Sequence, residues 1–288
     1  MNGLKMRTID AVHFFLRFAL ELFAVAIVAG LTGLGIGYFS WGRPHDWYVA
    51  KDASEVQGSD GELIRYGRQL IVETPRLIGK SATDRSMRFA GNDLACTQCH
   101  QNAGLKRFAA PFVSTYSSFP MMSNDQVLTL EERINGCMIR SMNGRALPED
   151  GHEMKAMVAY MGYLGTGTPE DIRVEGMGLK ALQPPAQKPD GNRGLVVYGQ
   201  ICAKCHGAGG QGSLREPPGV GFSVPPLWGD GSFNSAAGMS NITTAAAFIR
   251  ANMPFLTDYR SPMLTEQQAW DIAAYVTAQP RPRLQDGK

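Results

Sequence analysis

The sequence predicts a mainly α-helical chain that builds one unit twice, behind an apolar N-terminal segment. Three observations predict this. The pattern Cys-x-x-Cys-His occurs as Cys96-Thr97-Gln98-Cys99-His100 and again as Cys202-Ala203-Lys204-Cys205-His206. Stretches with apolar residues at helical spacing flank both copies. Smaller marks recur as well: Tyr66-Gly67 and Tyr198-Gly199 precede the motifs, and Ala159-Tyr160 and Ala274-Tyr275 stand in the stretches that close each half.

The motif has a definite chemistry. Two cysteines three residues apart on one helical turn can each form a thioether to a haem vinyl group, and the next residue, histidine, is placed to bind the iron. Two copies use four of the five cysteines. A zinc ribbon needs its two knuckles roughly 15–20 residues apart, since four ligands meet at one ion. Here the copies lie about a hundred residues apart, and each has its own histidine. A thioredoxin-like pair would occur once, in a βαβ setting. The expected cofactors are therefore two covalently bound haem c groups, held by Cys96, Cys99 and His100 and by Cys202, Cys205 and His206.

At 288 residues the chain has room for two domains and an appendage. With 28 basic against 26 acidic residues and no run of Lys or Arg, nucleic acid is set aside as a partner. The 33 glycines and 17 prolines suit loop-rich domains whose core is partly cofactor. Residues 22–39 form 18 positions without a charge, about the minimum for a membrane-spanning helix. Lys5, Arg7 and Arg17 precede them, which favours a cytoplasmic N-terminus and an exported remainder. A cleaved signal peptide is the rival reading, but Tyr38-Phe39-Ser40-Trp41-Gly42 lacks the small-x-small pattern of a cleavage site. The expectation is an uncleaved anchor with Trp41 and Trp47 at the interface, holding the haem domains on the periplasmic side of a bacterial inner membrane. The expected division is anchor 1–45, first haem domain 46–168, and linker with second haem domain 169–288.

Along the chain, residues 61–72 read as a helix with Leu63, Tyr66 and Leu70 on one face. Residues 130–142 and 153–164 read as two more. In the latter Met154, Met157, Val158 and Met161 make an apolar stripe best explained as core. Gly165-Thr166-Gly167-Thr168-Pro169 ends the first unit, and residues 184–194 read as an extended linker. In the second unit residues 194–200 lead into the motif, and helices are expected over 243–252 and 265–278. Ala269, Ile272, Ala273 and Val276 form the buried stripe of the last. Each half thus resembles the class I cytochrome c fold, whose first and last helices cross where a glycine meets an aromatic residue. The resemblance implies that Gly67 meets Tyr160 and Gly199 meets Tyr275, because a glycine lets two helices approach closely.

Each haem iron needs a second axial ligand. No histidine follows His206, so methionine is expected there. Met253, in Asn252-Met253-Pro254 between two helices, stands where class I cytochromes carry that ligand, and Met239 is the runner-up. A His/Met pair raises the potential. The first half lacks a methionine at the matching place, since Leu147-Pro148 stands there. On spacing, Cys137 and Met142 are balanced candidates; five residues apart on a helix, they cannot both face the iron. A free cysteine is most often a small buried hydrophobe, and that bland reading stands beside the ligand reading.

The run Glu132-Arg133-Ile134-Asn135-Gly136-Cys137-Met138-Ile139-Arg140-Ser141-Met142-Asn143-Gly144 resembles the corresponding segment of dihaem thiosulfate dehydrogenases. Pro225-Pro226-Leu227-Trp228-Gly229, Ala237-Gly238-Met239 and Asn252-Met253-Pro254 are similar to that family too. The resemblance implies that Cys137 is the thiolate ligand of the first haem. It also implies that two thiosulfates are oxidised to tetrathionate at a His/Cys-ligated haem, with electrons passed through a His/Met haem to an external acceptor such as another cytochrome c or a terminal oxidase. Arg133 and Arg140 share a helical face with Cys137 and are candidates for holding the dianionic substrate, or for pairing with haem propionates. Lys106 and Arg107 are weaker candidates. The competing readings are a membrane-tethered dihaem electron carrier without a substrate site, and the same enzyme running as a tetrathionate reductase.

Overall fold

The computed structural model describes residues 56–168 and 174–284, together with Ala53 and five positions of the N-terminal segment (Leu20, Phe23, Ala24, Ala26 and Ile27). Those five are helical and exposed. The rest of the expected apolar span lies outside the described residues, as do Lys5, Arg7, Arg17, Trp41 and Trp47. Among the described residues no helix is long and apolar enough to cross a membrane.

In the first half, α1 (Gly58–Val72), α2 (Leu130–Arg140) and α3 (His152–Leu164) surround a core that includes Leu70, Ile71, Met138, Met154, Met157 and Tyr160. The methionine stripe expected on the closing helix is core, with Met154 and Met157 almost fully buried. In the second half, α4 (Gly191–Val197), α5 (Ile242–Asn252) and α6 (Glu266–Thr277) repeat the plan. The helices begin within three residues of their expected starts, and their caps show why. Thr129 and Glu132 exchange side chain-to-backbone hydrogen bonds at the start of α2, as Thr265 and Gln268 do at α6. Asp190 and Asn241 accept from the first backbone N–H groups of α4 and α5. Two antiparallel ribbons were not foreseen. In one, β1 (Met121–Ser123) pairs β2 (Gln126–Leu128); in the other, β3 (Ser213–Leu214) pairs β4 (Phe222–Val224). Asn124 and Asp125 take positive φ in the first turn, which is the chemistry a tight hairpin demands.

The helix crossings confirm one glycine expectation and correct the other. At Gly67 of α1 a Cβ would overlap the backbone of Ala156 and the Cβ of Tyr160 on α3, so only glycine permits this approach. At Gly199 a Cβ would meet nothing within 4 Å, and Gly199 does not face Tyr275. The close approach in the second half belongs to Gly194, which lies against the backbone of Asp271 and Ile272. Tyr275 packs instead on the ring of Tyr198 at 5.3 Å and edge-on to Trp228 at 5.7 Å. The two Tyr-Gly pairs are not equivalent. Tyr66-Gly67 sits in the middle of α1, far ahead of its motif, whereas Tyr198-Gly199 sits in a π-turn, Tyr198–Cys202, that already carries the first cysteine of the second motif.

The halves interlock. Phe233 and Ala237, from the loop ahead of α5, belong to the core of the first half, and Phe222 of β4 packs against it.

Candidate active site

Both Cys-x-x-Cys-His motifs open onto one cavity of about 1170 Å³. The first motif enters as a 3₁₀ turn, Cys96–Gln98. Thr74, fully buried, fastens it: its hydroxyl donates to Leu70 O at 2.6 Å, at the end of α1, and accepts from Cys96 N at 3.2 Å. Gln98 accepts from Ala95 N at 3.0 Å and donates to Phe222 O on β4 at 2.8 Å. The His100 ring is held by Nδ1 against Ala110 O at 2.6 Å and by Phe112, ring centroids 4.5 Å apart.

The second motif follows α4 directly through the π-turn, an element frequent at functional positions. His206 is buried, and its Nδ1 meets Pro225 O at 2.9 Å. Burial lowers its pKa, with the Pro225 contact opposing, so the imidazole is neutral at physiological pH. The acceptors are thus Ala110, just before Pro111, and Pro225. A ring nitrogen bonded to a carbonyl leaves the other free for a metal.

Cys137 lies on α2 and lines the same cavity. Arg133, one turn earlier, donates to Cys137 Sγ at 3.1 Å. Burial pushes this thiol up, but a hydrogen bond from His100, Arg133, the charge of His100 and Arg140 outweigh it and hold it down at about 7. The motif thiols move the other way. Burial raises Cys96 to about 11, against a bond from Thr74 and with a further push from Cys137; burial raises Cys99 to about 12, with Cys96 and Cys137 adding. All five cysteines are free of disulfides. Cys96, Cys99, His100 and Cys137 all line the one cavity. Arg140 folds back along its helix, Nε on Gly136 O at 2.8 Å, and also lines the cavity.

Met142 lies beyond the end of α2, almost fully buried in the first core, and touches the cavity as well. Lys106 bonds Gln101 Oε1 at 2.7 Å; neither it nor Arg107 lines the cavity. On the other side, α5 stops at Asn252 and Met253 is extended, with Pro254 barring another turn. Met253 and Met239 both line the cavity, Met239 on the 3₁₀ turn Gly238–Ser240 packed against the first core.

These residues fit two haem groups. Each motif offers two thiols and an oriented imidazole, the walls are largely apolar, and sulfur side chains face the cavity from α2 and from the end of α5. Thr74 and Gln98 were not singled out by the sequence, because the bonds that matter, Thr74 to Cys96 N and Gln98 to Phe222 O, join residues far apart in the chain.

Fold and site together define a protein of two cytochrome c domains. The family model described as SoxA/TsdA, cytochrome c domain, matches residues 87–169, and the model described as cytochrome c matches residues 192–279. A thiosulfate dehydrogenase of Allochromatium vinosum is 40% identical over 235 residues, 80% of this chain and 82% of that protein. Another, of Thiomonas intermedia, is 40% identical over 225 residues, covering 77% and 67%. Among solved structures, thiosulfate dehydrogenase (TsdBA) of Marichromatium purpuratum superposes with a TM-score of 0.75 at 37% identity, covering 85% of this chain. This chain spans about half, 52%, of that longer one. The chain belongs to the thiosulfate dehydrogenase family, and it is an enzyme.

Proposed function

We propose that this enzyme couples two thiosulfates into one tetrathionate, and that His100 and Cys137 would hold the iron of the first haem and His206 and Met253 that of the second. The single observation that carries the reading is that Cys137 lines the same cavity as Cys96, Cys99 and His100, with the Arg133 guanidinium 3.1 Å from its sulfur. The haem c groups, when bound, supply two one-electron acceptors, the thiolate lowering one potential and the methionine raising the other.

The chain's own residues do the rest. The reaction joins the two outer sulfurs in a new S–S bond and releases two electrons: two dianions give one dianion, and no proton moves. Two dianions repel, so their meeting point needs positive charge in a site shielded from water. Arg133 and Arg140, at the cavity wall beside Cys137, supply it. The electrons leave to an external acceptor, another cytochrome c or a terminal oxidase. The domain boundaries are 46–168 and 169–288, and the segment before residue 46 anchors the protein on the periplasmic side of the inner membrane.

The test is anaerobic addition of thiosulfate to the oxidised holoprotein, following haem reduction and assaying tetrathionate. Reduction with one tetrathionate per two electrons is expected, and loss of most turnover in Cys137→Met. A variant that keeps full turnover would leave only an electron carrier.

A further inference from the structure

The C-terminus of α2, the helix that carries Cys137, is finished by the other domain. A helix leaves its last four carbonyls without partners, and each must find one when buried. Here all four are accounted for. Cys137 O accepts from Ser141 N at 2.8 Å and Met142 N at 2.9 Å, and Met138 O accepts from Gly144 N at 3.0 Å. These are local. The remaining two are taken by one residue of the second cytochrome c domain: Asn234 Nδ2 donates to Ile139 O at 3.0 Å, and Asn234 N donates to Arg140 O at 3.2 Å.

Asn234 is 1% exposed and fully engaged. Its Oδ1 accepts from Ala236 N at 3.1 Å, which fixes the amide so that Nδ2 points at α2. The loop it belongs to is held in turn. Ser235 N bonds Pro282 O at 2.8 Å, the Arg281 guanidinium lies 4.5 Å from the centre of the Phe233 ring, and Asn92 of the first domain spans Ser141 O and Ser232 O.

We infer that Asn234 is a positioning residue for Cys137. It fixes the last turn of α2 from across the domain boundary and so holds the thiol where the first iron is bound. The inference rests on the reading that Cys137 is an iron ligand. Its physical basis is that a helix end with two unsatisfied buried carbonyls relaxes, by fraying or rotation, until water or another donor reaches them. Cys137 begins that last turn. A small rotation there swings its sulfur off the metal while His100, on a separate turn, stays in place. Asn234 thereby ties the first haem's second ligand to correct docking of the second domain, so a chain with undocked domains would lack a properly ligated first haem.

The decisive variant is Asn234→Asp in the full-length holoprotein. It is isosteric and keeps the acceptor for Ala236 N, but it replaces the Nδ2 donor by an oxygen that repels Ile139 O. The readouts are the spectroscopic signature of a thiolate-ligated low-spin ferric haem and the two midpoint potentials. The expected result is at least a twofold loss of the thiolate-ligated population and a rise in the first haem's potential, with the spectrum and potential of the second haem unchanged. An unchanged thiolate signature would overturn the inference. So would a change of equal size at both haems, since that would mean general loosening. Should Asn234→Asp fail to fold, Arg281→Gln, which loosens the same loop from its other side, is judged by the same criteria at smaller amplitude. A wild-type protein with no thiolate signature would instead overturn the ligation reading itself, a separate failure visible before any variant is made.

Discussion

Arg133 Nη1 lies 3.1 Å from Cys137 Sγ, four residues further along the same helix. A cationic donor on a thiolate is a strong, charge-assisted contact, and here it opposes the burial that would otherwise keep the thiol protonated. The same guanidinium faces the cavity. Arg133→Gln removes charge and fork together. Its kcat/KM for thiosulfate should fall about tenfold to a hundredfold, the range for loss of one charged donor. Arg133→Lys should recover part of the loss in KM and little of it in kcat. Steady-state kinetics with an artificial acceptor would decide this, and equal values for all three proteins would exclude Arg133 from the site.

The two glycine positions make a sharper contrast than their similarity in sequence suggests. Gly67→Ala and Gly194→Ala each drive a methyl group into the backbone of the crossing helix and should cost about 1–3 kcal/mol as overpacking. Gly199→Ala meets open space and should stay within about 0.5 kcal/mol of the parent. Thermal unfolding of the three variants tests the crossing geometry directly.

The second half carries an acid-sensitive clasp. The Asp271 carboxylate on α6 accepts Arg193 Nε at 2.7 Å, Arg193 Nη2 at 2.8 Å, Asp190 N at 2.9 Å and Gln267 Nε2 at 3.0 Å. Burial pushes its pKa up, but these partners prevail and hold it below the usual carboxylate value. A depressed folded pKa means the contribution is present above the unfolded value, about 3.9, and is lost as pH falls through the folded one. Asp271→Asn should therefore cost about 1.5–3 kcal/mol at neutral pH, toward the lower end because Arg193 is half exposed. The gap between variant and parent should hold steady at neutral pH and narrow only as pH falls below the unfolded value and through the lower folded one. A gap independent of pH would refute this linkage.

Thr74 holds the first motif to the end of α1 through a buried hydroxyl. Thr74→Val keeps the shape but strands Cys96 N–H, at a cost of about 1–3 kcal/mol. Lower stability should come with a smaller fraction of chains bearing haem at Cys96 and Cys99, measured by intact-protein mass spectrometry, while attachment at Cys202 and Cys205 is unaffected.

Met253 and Met239 compete for one role, and replacement separates them. Met253→His should lower the second haem's midpoint potential, within the roughly 0.8 V that axial ligands command, and Met239→Leu should leave it near the parent value. The reverse pattern in spectroelectrochemistry would assign the ligand to Met239.

What could be read from the chain alone was whatever is local. The motif spacing and the helical periods of residues 61–72, 130–142 and 243–252 act within a turn or two, so adjacent residues suffice to reveal them. The family pattern around Cys137 added its expected role. Tertiary structure alone decided that Gly194 rather than Gly199 makes the second helix crossing, because the π-turn shifts the second motif against its helix. It also decided that Gln98 and Asn234 reach between the halves, and that both motifs open onto one cavity. A buried carbonyl accepts any well-aimed donor, however distant in sequence, so only the folded chain shows which asparagine or glutamine reaches it.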